Sequence, residues 1–177
     1  MRRIKYKKMA MLIYFLIVVV GIITLVLITG LLLPGKRIGS RQCFYNASPE
    51  KVYNVLINNT DYGYRSDLKE IIIIESLDGI EVWDEIAKNG SVVRFKTARK
   101  EPFSLYEFDI IKGNGFTGHW KGELQETSTG GTHFTSTETI RMKNPFLKVL
   151  SYLFFDIEKF MDNYQNDLRV KLSEDLA

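Results

Sequence analysis

Cysteine and histidine are scarce in this sequence of 177 residues, which contains only Cys43, His119 and His133. A single cysteine excludes an intramolecular disulfide, and no sequence cue near Cys43 indicates a base that would activate its thiol. The two histidines fall on paired strands of the pattern described below, roughly 17 Å apart along them, which is too far to share a metal ion. We therefore predict neither a metal site nor a cofactor.

Acidic residues are absent from the first 35 positions, and all 21 of them follow. Five of the 24 basic residues precede position 35, namely Arg2, Arg3, Lys5, Lys7 and Lys8. The rest of the chain has 19 basic against 21 acidic residues and a net charge of −2, so the sequence pI of 8.9 reflects a short basic arm. A slightly acidic domain lacks the basic surface that nucleic acids require, and we predict no nucleic-acid partner.

Charged side chains are also missing from residues 10–33, AMLIYFLIVVVGIITLVLITGLLL. At about 1.5 Å per residue this helix would be roughly 36 Å long, enough to cross a hydrocarbon core of about 30 Å. The pattern predicts a basic arm over 1–9, a transmembrane helix over 10–33, a linker over 34–37 and a folded domain over 38–177. A cleaved signal peptide is the alternative, but its apolar region is usually only about 7–15 residues and no A-x-A-like site follows here.

Positive charge on the two sides of the span predicts its orientation. Five Lys or Arg residues precede it, whereas three, Lys36, Arg37 and Arg41, follow closely. This bias favours a single-pass protein of the cell membrane with a cytoplasmic N-terminus and an extracytoplasmic domain. Thr24 and Thr29 can return their hydroxyl hydrogen bonds to their own helix, so we expect an anchor rather than a transport path.

The chain after the linker has the pattern of a soluble α+β domain. Residues 38–47 are predicted as a first strand, and Ser48-Pro49-Glu50 then provides an N-cap hydroxyl, a proline at the first helical position and an acid in the first turn. The following stretch NNTDYGYRSDLKE is either a broken connection or a short second helix. The pattern thus predicts a strand followed directly by a helix.

Six further strands follow in quick succession, separated by turns such as Asp78-Gly79 and Asn89-Gly90. The predicted segments are KEIIIIES (69–76), GIEVWDEIAK (79–88), SVVRFKTARK (91–100), FSLYEFDIIK (103–112), FTGHWKGELQET (116–127) and THFTSTETIRMK (132–143). Short turns make consecutive strands antiparallel neighbours. Together with the first strand they predict a seven-stranded antiparallel sheet with one apolar face.

A long helical repeat begins at Pro145. Apolar residues recur at spacings of three and four, at Phe146, Leu150, Leu153, Ile157, Phe160 or Met161, Tyr164, Leu168 and Leu172. The repeat predicts one long C-terminal helix whose apolar side packs on the sheet.

This order of elements resembles the START-related, polyketide cyclase and lipid-transport superfamily (SRPBCC), whose helix-grip fold curves a sheet around the last helix. The resemblance rests on NASPEKVYNVLINN, on the W-K-G-E-L and G-G-T-H-F-T hairpin and on the terminal helix, and it covers about residues 38–173. Tyr62 and Tyr64 stand where the family often has a tryptophan, and only some members have a transmembrane anchor.

The resemblance implies a cavity between the sheet and the C-terminal helix that holds a hydrophobic small molecule such as a lipid, sterol, quinone or polyketide. We expect the lining to come from Phe95, Phe108, Trp120, Phe134, Ile140, Tyr152, Phe155 and Tyr164. For each of these residues, core packing without a ligand is the alternative.

Glu138 is the one carboxylate that the pattern places on the apolar face. If the last hairpin turns about Thr129, residues whose numbers sum to 258 face each other, and Glu138 lies beside Trp120. A carboxyl group in an apolar cavity would have a raised pKa and could act as a general acid or base, or bind a ligand hydroxyl. A register shift of one residue or a wet strand end is the alternative.

Three classes of function follow from these observations. We expect a membrane-anchored, non-enzymatic binding module for a hydrophobic small molecule. The first alternative is an enzyme of the cyclase, dehydrase or hydrolase type, in which Glu138 and either Tyr106 or Tyr164 polarise a ketone or activate water. The second is a ligand-free scaffold whose outer face recruits a protein partner, which the sequence does not identify.

Overall fold

The computed structural model describes residues 2–174, with side chains from Tyr6 to Ser173. Met1 and residues 175–177, the end of the predicted domain, lie outside the described residues. The elements in chain order are α1 (Arg2–Leu32), β1 (Lys36–Tyr45), α2 (Pro49–Ile57), β2 (Leu68–Leu77), β3 (Ile80–Ala87), β4 (Val92–Glu101), β5 (Leu105–Lys112), β6 (Phe116–Glu126), β7 (Thr132–Met142), α3 (Pro145–Phe154) and α4 (Ile157–Glu174). They form two units: residues up to Gly35 together with 143–155, and residues 36–142 together with 156–174.

The first unit consists of α1 and α3. Within α1, the 27 residues Tyr6–Leu32 are long and apolar enough, by length and composition, to cross a membrane. The two helices approach closely at Gly30, where a Cβ atom would lie 2.1 Å from the carbonyl oxygen of Pro145, so no larger residue fits without movement. Lys148 Nζ donates a hydrogen bond of 3.0 Å to the carbonyl of Leu33. Asn144 caps α3 by accepting hydrogen bonds from two backbone N–H groups in its first turn.

The second unit contains a seven-stranded antiparallel sheet in the order β1-β7-β6-β5-β4-β3-β2. The predicted α+β class and strand number are confirmed, and each strand lies within about two residues of its predicted bounds. Asp78 and Gly79 both have positive φ angles, 51° and 79°, as the tight two-residue turn between β2 and β3 requires. Bulges interrupt the β2–β3 and β4–β5 ladders and bend those strands.

Helix α2 begins as its sequence predicts. The Ser48 side chain accepts a hydrogen bond of 3.3 Å from the backbone N–H of Lys51, and Pro49 occupies the first turn. Val52 and Leu56 on its apolar side are buried in the core. Residues 58–67, all within the described chain, contain turns and no helix, so the broken connection is the correct one of the two alternatives for this stretch.

The prediction of one uninterrupted helix from Pro145 is wrong, because the helix stops at Phe154 and a new one begins at Ile157. Phe155 has the extended backbone angles φ −117° and ψ 109°. The Asp156 carboxylate then accepts hydrogen bonds of 3.0 Å from the N–H groups of Glu158 and Lys159, which is an N-cap arrangement. This cap starts α4 independently of α3.

Helix α4 lies against β1 and β7 of its own unit. Gln165 donates hydrogen bonds of 3.1 Å to the Ser136 hydroxyl and 3.3 Å to the Arg41 carbonyl. Gly39 on β1 leaves room for the helix, since a Cβ atom there would lie 3.0 Å from side-chain atoms of Ile157 and Met161. The face of the sheet that bears Ser136 is therefore the inner face, covered by α4.

Candidate functional site

The register of the last hairpin places Glu138 on the inner face. Trp120 and Glu138 are direct partners in the β6–β7 ladder, and every pair in this ladder has residue numbers that sum to 258, as predicted. Glu138 is 6% exposed and has Gly39 as its partner on the other side, in β1. The carboxyl group thus lies in the interior, beside Gly39, which α4 covers.

Burial determines the protonation of Glu138. Loss of hydration and, to a smaller extent, the nearby Glu85 carboxylate together raise its pKa to about 8, while Arg65 opposes the shift. At neutral pH the group is therefore mainly the protonated acid, which can donate a hydrogen bond as well as accept one. A neutral carboxylic acid in an apolar interior is a suitable partner for a carbonyl or hydroxyl oxygen.

A second carboxylate and an arginine lie near Glu138 in the same interior. Arg65 Nη2 is 3.6 Å from Glu85 Oε2, and both side chains are largely buried. Trp83 Nε1 donates a hydrogen bond of 3.3 Å to the other carboxylate oxygen of Glu85. Burial raises the pKa of Glu85 although Arg65 works in the opposite direction. The guanidinium of Arg65 also lies 4.6 Å from the ring centroid of Tyr164, within cation–π distance.

The sequence pattern did not indicate this pair of side chains. Glu85 could have been found, because it is two residues from Trp83 on β3 and strand alternation places both on one face. Arg65 belongs to the irregular connection between α2 and β2, where no periodicity indicates which side chains point inward. Only the tertiary structure brings it to Glu85.

Tyr106 adds an unpaired polar group to the interior. The residue is 1% exposed, and its hydroxyl has no hydrogen-bond partner among the described residues. Burial raises the pKa of Tyr106, whereas the nearby side chains of Thr97 and Asn59 act in the opposite direction. An unsatisfied buried hydroxyl costs about 1–3 kcal/mol, so a ligand oxygen that accepted its hydrogen bond would be favoured.

Aromatic rings form a continuous wall across the inner face. Phe108 and Trp120 stack with their centroids 4.8 Å apart, and Trp83 stacks on Phe95 at 5.4 Å. Phe108 contacts Phe95 edge-on at 5.4 Å and so joins the two pairs. The wall gives the interior the apolar character of a small-molecule site.

The predicted lining residues fall into two groups. Phe95, Phe108, Trp120, Phe134 and Tyr164 are connected by ring contacts, since Trp120 lies 6.2 Å from Phe134 and 6.1 Å from Tyr164. Ile140 is buried two residues from Glu138 on the same face of β7. Tyr152 and Phe155 belong to the first unit and not to the unit that contains the sheet.

Both histidines lie on the strand face opposite Glu138. His119 Nδ1 is 2.8 Å from Asp109 Oδ1, and the ring of His133 contacts that of Phe44 at 5.8 Å. Within residues 2–174, no group of three or more His, Cys, Asp or Glu side chains is arranged to hold a metal ion. Cys43 is half-buried, and burial raises the pKa of its thiol, which makes it less reactive.

Comparison with solved structures identifies the fold. The ZhuI aromatase/cyclase from Streptomyces sp. R1128 matches with a TM-score of 0.67 at 10% identity, over 80% of this chain and 96% of that one. A START superfamily protein from Mycobacterium smegmatis matches at 0.59 and 14%, over 77% and 97%. Norcoclaurine synthase from Thalictrum flavum matches at 0.63 and 13%, over 80% and 97%. No protein-family model and no curated protein matches the sequence.

These matches confirm the helix-grip fold that the sequence resemblance implied. The chain has the α+β architecture of START proteins and polyketide cyclases, with a seven-stranded antiparallel sheet and a C-terminal helix. In addition, this chain has an N-terminal helix long and apolar enough to cross a membrane.

Proposed function

We propose that this protein is a membrane-anchored binding module for a hydrophobic small molecule held between the sheet and α4. The observation that supports it best is the inner face itself, where the stacked rings of Phe108 and Trp120 lie beside the protonated acid of Glu138 and the unpaired hydroxyl of Tyr106. Apolar walls with a few inward-directed polar groups are typical of small-molecule sites.

The polar groups define the ligand chemistry. Glu138 and Tyr106 can each donate a hydrogen bond to an oxygen atom, and the surrounding rings favour an apolar body. The proposed ligand is therefore a lipid, quinone or polyketide-like molecule with at least one carbonyl or hydroxyl group. We propose contacts from Phe95, Phe108, Trp120, Phe134, Glu138, Ile140 and Tyr164.

Anchoring is proposed through α1. The chain from Tyr6 to Leu32 has the length of a transmembrane helix, and its side chains are predominantly exposed, as lipid contact requires. The positive-charge bias supports a cytoplasmic N-terminus and an extracytoplasmic domain. Reporters that function on only one side of the membrane, fused after Ala177, test this orientation. A signal from the cytoplasmic reporter would overturn it.

The two tryptophans provide a direct test of binding, because both Trp83 and Trp120 are buried in the inner wall. The full chain in detergent micelles is titrated with a short-chain quinone, which quenches indole fluorescence on contact. We expect saturable quenching, reduced in Trp120→Phe in proportion to the loss of that indole. Quenching that rises linearly and equals that of N-acetyltryptophanamide in the same micelles would contradict the proposal.

A second candidate function is catalysis by Glu138. The observation that favours it is the pKa of about 8, which suits a general acid or base near neutral pH. In this alternative Glu138 polarises a ketone or activates water, with Tyr106 or Tyr164 as the second polar group. Turnover of a linear poly-β-ketone by the full chain, lost in Glu138→Gln, would support the enzyme. Equal turnover by the variant would count against it.

A further inference from the structure

Helix α3 has buried polar side chains and exposed apolar ones. Lys148 and Ser151 are its buried residues. The exposed fractions of Phe146, Leu150, Leu153 and Phe154 are 40%, 50%, 68% and 80%. A helix at the surface of a water-soluble domain has the opposite arrangement, with its apolar stripe buried and its polar side in water. The reversal indicates that the exposed side of α3 meets an apolar environment.

Four of the five exposed residues of α3 form one surface, here called the α3 apolar face (Phe146, Leu150, Leu153 and Phe154), and the fifth, Tyr152, lies on another side of the helix. Spacings of four, three and one place these four residues on one side of the helix, whereas Lys148 and Ser151 lie on the other side. The polar side is occupied within the first unit, because Lys148 Nζ donates to the Leu33 carbonyl at 3.0 Å. The α3 apolar face therefore points away from the contact with α1.

The contact with α1 fixes the position of α3 along the proposed span. Gly30 and Leu33 are in the last turn of α1 and just beyond it, and both contact α3, at Pro145 and Lys148. A backbone carbonyl at a helix end lacks an intrahelical partner, and at the edge of a bilayer the Lys148 ammonium satisfies it. Helix α3 is thus held at the level where the apolar segment ends.

We propose that α3 is an interfacial helix that inserts its apolar face into the bilayer that α1 spans. This proposal rests on the anchoring by α1 proposed above. Ten residues give a helix of about 15 Å, too short to cross a hydrocarbon core of about 30 Å, so α3 lies in the membrane surface. Phenylalanine and leucine on one side and a lysine on the other are typical of helices that lie in this region.

Depth-dependent fluorescence quenching tests the proposal with the full chain. Cys43→Ser removes the only cysteine, and Leu153→Cys then receives an environment-sensitive fluorophore. Leu16→Cys, within the proposed span, and Ser128→Cys, in the exposed turn between β6 and β7, are matched controls. Each protein is reconstituted in phosphatidylcholine vesicles. The fluorescence of the label is measured with a lipid that carries a nitroxide near its headgroup and, in a separate sample, with iodide in the aqueous phase.

We expect the label at position 153 to lose fluorescence with the shallow lipid nitroxide and to resist iodide, while position 128 shows the reverse. Iodide quenching at 153 equal to that at 128, with position 16 protected, would overturn the interfacial helix and leave the anchor intact. Exposure of position 16 to iodide would overturn both. Protection of position 153 from both quenchers would indicate a covering protein and also contradict the proposal.

Discussion

Glu138 lies directly opposite Trp120 across the β6–β7 ladder, so a carboxylic acid and an indole ring form adjacent parts of the same inner face. The indole stacks on Phe108, and the acid, with a pKa of about 8, is protonated at neutral pH. An apolar surface next to a neutral hydrogen-bond donor is the arrangement that the proposed ligand, an apolar molecule with an oxygen atom, requires.

Glu138 is expected to make stability depend on pH. Below about pH 4 the carboxyl is protonated in both the folded and unfolded states, so it has no effect. Between about pH 4 and pH 8 the unfolded state loses the proton while the folded state keeps it, so the free energy of unfolding falls with rising pH. At about 1.4 kcal/mol per pKa unit, the total loss is a few kcal/mol.

Thermal unfolding of Glu138→Gln therefore has a defined outcome. The variant should match the natural protein at pH 4 and be more stable than it at pH 8.5, because glutamine has no charge to bury. Glu123→Gln on the exposed side of β6 is the matched control and should change neither value. Parallel pH profiles of Glu138→Gln and the natural protein would contradict the assigned protonation.

Removal of one side chain of the Arg65–Glu85 pair is predicted to lower the free energy of unfolding more than replacement of both. Arg65→Met leaves the Glu85 carboxylate buried without its charge partner, and we expect a loss of about 3–5 kcal/mol in the free energy of unfolding. Arg65→Met combined with Glu85→Met should recover most of that loss. The exposed pair of Arg99 and Glu101 is the control, and its disruption should cost less than about 1 kcal/mol.

A double-mutant cycle of denaturant unfolding measures both pairs. Additive losses at Arg65 and Glu85 would show that the two side chains do not interact and would remove Arg65 from the description of the site.

Gly122 allows Trp120 to take its position in the wall. A Cβ atom at Gly122 would lie 2.4 Å from Cη2 of the Trp120 indole, so Gly122→Ala must displace the ring. We expect a loss of about 1–3 kcal/mol from overpacking, together with a shifted tryptophan emission maximum. Gly63→Ala is the control, because nothing lies within 4 Å of a Cβ atom there. An unchanged emission spectrum in Gly122→Ala would contradict the described ring position.

Gly30 is predicted to hold α3 against α1. In Gly30→Val the added side chain would collide with the Pro145 backbone, whereas Gly21→Val in the same helix would meet no atom within 4 Å of its Cβ. A nitroxide attached to Leu150→Cys in a Cys43→Ser background reports on this contact. Its spectrum should sharpen, indicating greater mobility, in Gly30→Val only. Equal spectra for both glycine variants would contradict the packing of α3.

The strand order, the α2 cap and the β6–β7 register could be predicted because each follows from local signals. Alternation places Glu138 beside Trp120, and short turns fix the antiparallel neighbours. Arg65 could not be predicted, because it lies in a connection without periodicity and meets Glu85 only through tertiary packing. The sequence thus indicated the buried carboxyl group of Glu138 but not that of Glu85, and it did not indicate the interaction of either group with Arg65.

The break between α3 and α4 shows a different limit of sequence analysis. The apolar repeat continues through Ile157 without a change of phase, so it predicted one helix on the sheet. The local signal was the Asp156 cap, which does not alter the apolar spacing. The repeat also could not show that Leu150 and Leu153 are exposed, because apolar periodicity is the same whether a helix side faces a protein core or a lipid.

The most direct test of the binding function is native mass spectrometry of the full chain released from detergent micelles, followed by extraction and identification of any bound molecule. Two neighbouring substitutions show whether a bound molecule occupies the interior or the surface of the membrane helix. Ile110→Phe fills the inner face, and Ile111→Phe adds the same ring to the exposed face. We predict a stoichiometric hydrophobic adduct that Ile111→Phe retains and Ile110→Phe loses. Equal adducts in both variants, or none in the natural protein even after addition of lipid and quinone, would contradict the account.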